Sequence, residues 1–211
     1  MNRAKTVVDY YVLNNKLKNV IRSGWKNWNV QNERVESVAE HVFGVQSLAI
    51  AMHSQYQYNL DLTKVLYMLA IHELEEIIIG DLTSWDISEN EKKNKGHEAI
   101  KIILKDMINK EEIEALILEF DERKTKEAYF AYQVDKTECD IQCKLYDDQG
   151  CVDVSKQDNN PSFIDQKVQE LLIKEKGSWS SMWIEFDKNK NVRDEHFIEV
   201  LDYVKNNKIS K

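Results

Sequence analysis

Proline occurs once in this 211-residue chain and glycine six times. So few breakers exclude a many-turned β fold and leave room for long helices. Cysteine is scarce as well. Cys139, Cys143 and Cys151 are an odd number without a disulfide spacing, and no partners for a zinc knuckle lie near them. They read as small core residues in a reducing compartment, the cytoplasm. No stretch approaches the ~18 apolar residues of a membrane span, and the N-terminus lacks the apolar run of a signal peptide. A membrane is therefore not an expected partner. Positive charge is in deficit: 29 Lys and Arg face 37 Asp and Glu, for a net charge of −8. Such a surface repels phosphate backbones, which argues against a nucleic-acid duplex as partner. A small anionic substrate stays open, because a metal and a few Arg or Lys can reverse the field inside a pocket.

What is present suits a packed helical protein. Hydrophobic residues make up 42% and charged residues 31%, and the length favours one domain over residues 1–211. Apolar residues at three and four spacing predict a first helix over 4–21, closed by Arg22-Ser23-Gly24-Trp25 with Gly24 as C-cap. A polar loop with Trp25 and Trp28 follows, either a flap on the core or a pocket wall. Ser37-Val38-Ala39-Glu40 is a capping box that opens a helix to about Tyr58. Asp61 or Thr63 caps a central helix that runs to Ile79 and stops at Gly80. Ser88-Glu89-Asn90-Glu91 is a second capping box, opening a helix to about Met107. Lys92, Lys93 and Lys95 fall in its first turns, where cations oppose the macrodipole; they are either solvated or wait for an anion. Helices over 110–121 and 124–147 come next. Pro161 then opens a helix to Lys176, Gly177 breaks it, and a last helix spans about Asp194–Val204.

One segment stands out. Residues 72–81 pack His72, Glu73, Glu75, Glu76 and Asp81 into ten positions of an otherwise apolar stretch. Buried carboxylates are rare unless paired or bound to metal. On a helix, His72 and Glu76 lie one turn apart on one face, with Glu73 about 100° round. Imidazole beside carboxylate suits a first-row divalent cation. A polar helix face with a salt-bridged histidine is the plainer alternative. Taken singly, His41 in the first turns of its helix and Asp135 in the middle of another read as structural residues.

Taken together, three segments resemble the HD-domain metal-dependent phosphohydrolases, and more closely the branch of 5′-deoxynucleotidases. Arg34-Val35-Glu36-Ser37-Val38-Ala39-Glu40-His41 is similar to the R-x-E-S-V-x-E-H opening of that branch. Ala70-Ile71-His72-Glu73-Leu74-Glu75-Glu76 with Gly80-Asp81 resembles its A-x-H-D-x-x-E…G-D segment. Val134-Asp135-Lys136-Thr137-Glu138 resembles its third motif, and Arg22-Ser23-Gly24-Trp25 an upstream R-x-G-W. The likeness covers about residues 10–150; residues 151–211 form a helical extension that matches nothing. There is one departure: Glu73 stands where the family has aspartate. Its carboxylate is one methylene further out, so it could bind the same ion after a rotamer change, bind it bidentately, or displace it.

The resemblance implies an all-α, HD-domain-like bundle with a metal site buried between helices. It implies His41, His72, Glu73 and Asp135 as ligands of one divalent transition ion: Mn, Co, Fe or Zn. It further implies Glu76 as the carboxylate that positions a water, and Asp81 as a contact to the nucleotide sugar or leaving group. Arg34 with Lys92 or Lys95 would hold the phosphate, and Trp25 would stack on the base or simply close the pocket. The implied reaction removes the 5′-phosphate from (deoxy)nucleoside monophosphates. The alternatives are hydrolysis of another nucleotide, a polyphosphate or alarmone, or a non-catalytic nucleotide-binding module. By analogy the chain is a homodimer, with Phe163, Trp183, Phe197 and Leu201 of the C-terminal helices as candidate contacts.

Overall fold

The computed structural model describes residues 2–191 and 193–210, and among them every regular element is helical. The expected all-α class therefore holds. The sole β feature among the described residues is an isolated antiparallel bridge between Ile21 and Ser37. The chain groups into two compact units. The first takes the N-terminal residues to Ser23 together with Glu36–Tyr132, and the second takes Gly24–Val35 and the residues from Gln133 on.

The first unit contains α1 (Arg3–Asn14), α3 (Val38–Tyr56), α4 (Leu62–Ile71), α5 (Glu76–Ile79), α6 (Glu89–Leu104) and α7 (Lys110–Glu122). Its caps follow sequence chemistry. The Ser37 capping box closes in both directions, with the Ser37 N–H donating to Glu40 Oε2 at 2.9 Å and the Glu40 N–H to Ser37 Oγ at 3.3 Å. Asp61 caps α4 and Ser88 caps α6 through side-chain oxygens that accept backbone N–H groups. Ile71, Leu74, Ile100, Ile103, Leu104, Ile113 and Ile117 form a core among α4, the turn after it, α6 and α7. The first helix is shorter than its apolar pattern suggested. It ends at Asn14 and continues as a 3-10 turn over Asn15–Asn19, which leaves residues 20–22 extended for the bridge.

The second unit holds α2 (Ser23–Asn27), which starts at the last residue of the first unit, and α9 (Gln166–Lys174), α10 (Trp179–Lys190) and α11 (Glu195–Asn206). α8 (Lys126–Asp148) is one unbroken helix that begins in the first unit. Trp25, Trp28, Tyr146, Trp179 and Met182 dominate the second unit's main core. Gly24 is not a C-cap; it lies inside α2 with an ordinary φ. Pro161 does not open the ninth helix either. It sits in a turn, and Asp165 caps α9 by accepting from the N–H groups of Lys167 and Val168. Phe197 and Leu201 are fully buried inside this unit, and Phe163 and Trp183 pack against the tryptophan core. Phe197 and Leu201 are therefore spent on the unit's own interior, while Phe163 and Trp183 stay partly exposed.

Candidate metal centre

The site begins with the Ile21–Ser37 bridge. The Arg22 N–H donates to Glu36 O at 3.1 Å, and the Val38 N–H to Val20 O at 2.8 Å. This pins Arg22 beside the start of α3, where the capping box fixes the first turn and points His41 inward, fully buried.

The second element departs from the expected continuous helix. α4 stops at Ile71, and residues 72–75 form a tighter turn before α5. Leu74 N–H bonds Ile71 O, Glu76 N–H bonds Glu73 O and Ile77 N–H bonds Leu74 O, all three residues back. In that 3-10-like register, side chains three apart eclipse. Glu73 and Glu76 therefore share a side, and the helical argument that paired His72 with Glu76 is corrected. His72 Nδ1 lies 2.8 Å from Leu69 O. Nδ1 thus carries the proton, and Nε2 presents its lone pair, the arrangement metal-binding histidines need.

These elements converge on one carboxylate oxygen. Glu73 Oε1 is 3.3 Å from Arg22 Nη1, 3.7 Å from His72 Nε2 and 3.9 Å from His41 Nε2. The imidazoles of His41 and His72 stand 5.5 Å apart, and Phe120 packs edge-on to His72. Further along, α8 carries Asp135, buried, with Oδ2 at 3.0 Å from Lys136 Nζ. One ligand atom each from His41, His72, Glu73 and Asp135 lies within 4.8 Å of the other three. Two imidazoles and two carboxylates gathered this closely fit a divalent cation.

A second layer of charge surrounds this group. Glu76 is buried; Oε1 accepts from Lys92 Nζ at 3.2 Å, while Oε2 is buried without a hydrogen bond. Burial, then the nearby Glu73 and Asp81 carboxylates, push the Glu76 carboxyl well above its ordinary range. Glu75 is pushed up to about 8, by burial first and by Glu73 second. Burial alone would lower the Lys92 ammonium, but Glu73, Glu76, Asp81 and Glu75 outweigh it and raise it. Lys92 also donates to Leu82 O at 3.0 Å. Gly80 ends α5 at φ +74, a conformation that favours glycine. The following Asp81 accepts the Ser23 N–H at 2.6 Å and so ties this loop to the Arg22-Ser23 segment.

Several expected site residues lie elsewhere. Trp25 is 2% exposed, stacked on Trp183 at 5.3 Å with Tyr146 edge-on at 5.4 Å. Buried to this degree, its ring has no face open for a base to stack on. Arg34 is exposed in the bend before α3. Lys95 is half exposed and pairs with Glu91 along α6, and Lys93 pairs likewise with Glu89; these two are solvated surface lysines. His97 pairs with Asp121 at 2.8 Å. Arg22, Ser23 and Glu75 were not singled out individually by sequence reasoning. The Arg22-Ser23-Gly24-Trp25 motif flagged the region of the first two; helical spacing from His72 picked out Glu76 and left Glu75 unmarked.

Comparison with known proteins agrees with this geometry. A family model described as HD domain matches residues 14–172. The chain is 31% identical over 149 residues to the human protein named 5′-deoxynucleotidase HDDC2, covering 69% of this chain and 70% of that one. It is 29% identical over 156 residues to the fission yeast 5′-deoxynucleotidase hdd1, covering 70% and 76%. Among solved structures, a conserved hypothetical protein from Pyrococcus furiosus superposes with a TM-score of 0.62 at 25% identity, over 93% of this chain and 98% of the other. A protein from Magnetospirillum magnetotacticum titled as a predicted metal-dependent phosphohydrolase matches in fold with a TM-score of 0.58 at 20% identity, over 89% and 94%.

Proposed function

Because the chain belongs to the HD-domain family, we propose that it is a metal-dependent phosphohydrolase that removes the 5′-phosphate from deoxynucleoside monophosphates. The observation that carries this reading is the convergence of His41, His72, Glu73 and Asp135 within 4.8 Å. The donor set favours Mn, Co, Fe or Zn over Mg, since imidazole suits the transition metals. A bound divalent ion would supply a positive centre that polarises the phosphoryl group and lowers the pKa of a water.

The chain's own residues do the rest. Lys92 holds Glu76 by Oε1, which leaves Oε2 to hold a water and take its proton. Arg22, poised 3.3 Å from Glu73, is a bidentate donor suited to a phosphate. Lys92 adds a second cation on the same side as Glu76. Of the two lysines first named for the phosphate, Lys92 is the one that reaches Glu76, and Arg22 joins Arg34 as a candidate guanidinium. Asp81, held by Ser23, lines the approach next to the leaving nucleoside. The three free cysteines are all buried, which suits a reducing cytoplasm. None of the described helices is long and apolar enough to cross a membrane. A homodimer belongs to the same proposal; light scattering at known concentration decides it.

The test combines metal analysis of the purified chain with a phosphate-release screen over nucleoside monophosphates with Mn or Co. The expected result is retained or restorable metal and release from deoxynucleotides, with loss of both in His72→Ala. Release that persists in His72→Ala refutes the mechanism. Bound metal without release from any nucleotide leaves the fold as a binding module.

A further inference from the structure

Gly96 lies in the middle of α6 and is buried. Its φ is ordinary for a helix, so its backbone places no demand on glycine, and glycine is a poor choice for a helix interior. The reason for it is space. A Cβ at position 96 would stand 3.2 Å from Glu75 Cγ, 3.6 Å from Cβ and 3.8 Å from Cδ. The Glu75 side chain lies across the bare backbone of α6 at this point. Burying a carboxyl there is costly, and its Oε2 finds no hydrogen bond. A hydrophobic side chain would fill the slot more cheaply. Glu75 also anchors the turn by its backbone: its carbonyl accepts the N–H groups of Ile78 at 2.9 Å and Ile79 at 3.1 Å. It is flanked by Glu73 and Glu76, the two carboxylates that the turn must aim.

We infer that Glu75 and Gly96 form a positioning pair: the glycine on α6 provides the seat, and the seated Glu75 side chain holds the tight 72–75 turn so that Glu73 reaches the metal site. This rests on the metal-site reading above. A shift of a few tenths of an ångström at Glu75 is passed along the turn to Glu73 Oε1, whose neighbours stand only 3.3–3.9 Å away. Lys92, one turn before Gly96 on α6, holds Glu76 from the same helix. α6 therefore supports both carboxylates from behind.

The test is Co2+ binding to the purified, metal-stripped full chain, read by calorimetry and by the visible absorption of the bound ion. The variants are Gly96→Ala, Glu75→Ala, the double variant and Glu75→Gln. Residues that orient ligands typically govern metal affinity by ~10–100-fold. Gly96→Ala should weaken Co2+ binding at least ~10-fold and alter its spectrum. Glu75→Ala should do the same, and the double variant should be no worse than Glu75→Ala alone. Glu75→Gln keeps the shape and should stay within about twofold of wild type. A Gly96→Ala chain that binds Co2+ like wild type, or an equal added loss in the Glu75→Ala background, overturns the pairing. If Gly96→Ala does not fold, the contrast between Glu75→Ala and Glu75→Gln decides, and equal affinities for those two overturn the pairing. Wild-type protein that binds no Co2+ overturns the ligand reading itself, a result distinct from every variant outcome.

Discussion

Replacing Arg193 by methionine tests how the second unit holds the helix that carries Asp135. Arg193 is buried and ties the segment before α11 to three positions on α8. Its Nη1 donates to Gln133 O at 3.2 Å and Thr137 Oγ1 at 2.6 Å, and its Nη2 to Asp140 Oδ2 at 2.8 Å. Asp187 Oδ2 stands 3.6 Å away. Methionine fills much of the volume but donates nothing. Asp140, fully buried with no hydrogen bond to Oδ1, loses its guanidinium partner. Removing one partner of a buried pair costs about 3–5 kcal/mol, a large share of the ~5–15 kcal/mol that holds a typical domain together. With a urea m-value of ~2 kcal/mol/M, the midpoint should fall by roughly 2 M. Tryptophan fluorescence is the right probe, because Trp25, Trp28, Trp179 and Trp183 all belong to this unit's cores; Trp85 is the remaining one. The sign with pH is fixed as well. Burial, then Asp187, raise the Asp140 carboxyl, and Arg193 is the foremost group pulling it down. Without Arg193 its folded pKa rises further above the unfolded value of ~3.9. Below that value Asp140 is protonated in both states, and only the lost bonds to Gln133 O and Thr137 Oγ1 separate variant from wild type. Above it the unfolded chain sheds a proton that the folded chain keeps, and stability falls by up to ~1.4 kcal/mol per pH unit until the folded pKa is passed. Wild type passes its own, lower folded pKa first, so the defect relative to wild type should grow as pH rises from acid to alkaline. Adding Asp140→Leu should restore most of it. A midpoint within a few tenths molar of wild type, or a defect that grows toward acid, refutes the reasoning.

Glu76→Gln should lower kcat by ~10²–10⁴ while metal content, measured by mass spectrometry, stays near wild type; loss of the metal instead would make Glu76 a ligand. Lys92→Ala should raise KM for a monophosphate and lower kcat, because Lys92 holds Glu76 and Leu82 O. Lys95→Ala, on the solvated face with Glu91, should leave both constants within about twofold, as surface pairs contribute ~0–1 kcal/mol. Trp25→Ala should cost ~3–5 kcal/mol in chemical denaturation, since its ring is buried in the tryptophan core; an effect confined to KM would return it to the substrate.

The helices were legible where their ends carry side-chain chemistry. Ser37, Asp61, Ser88 and Asp194 each accept a backbone N–H, and such caps are written in residue type. The break after Ile71 was not legible, because a 3-10 turn is also right-handed. It advances ~120° per residue against ~100° in an α-helix, so four residues accumulate a difference of only about 80°. An apolar pattern cannot register that, yet it decides which carboxylate Glu73 eclipses. Trp25 was left between core and pocket for a different reason. Its partners Trp179 and Trp183 lie far along the chain, and nothing local separates an aromatic that waits for a base from one that fills a core.

The four candidate ligands were legible together only through the family resemblance; the residue types alone marked residues 72–76, and His41 and Asp135 carried no signal singly. Their supports were not legible, because they need only shape and charge. Arg22 is placed by a two-residue bridge, Lys92 by a turn of α6, and Glu75 by the absence of a side chain at position 96. Glu73 shows how the two levels combine. A glutamate reaches one methylene further than the aspartate of the family motif. Here the helix has tightened into a turn at that residue, its backbone is fastened from behind by Glu75, and Oε1 stops within 4 Å of Arg22, His41 and His72 at once. In this turn the reach of the glutamate side chain is what brings Oε1 to all three neighbours, so Glu73→Asp, one methylene shorter, should bind metal more weakly than the wild-type chain.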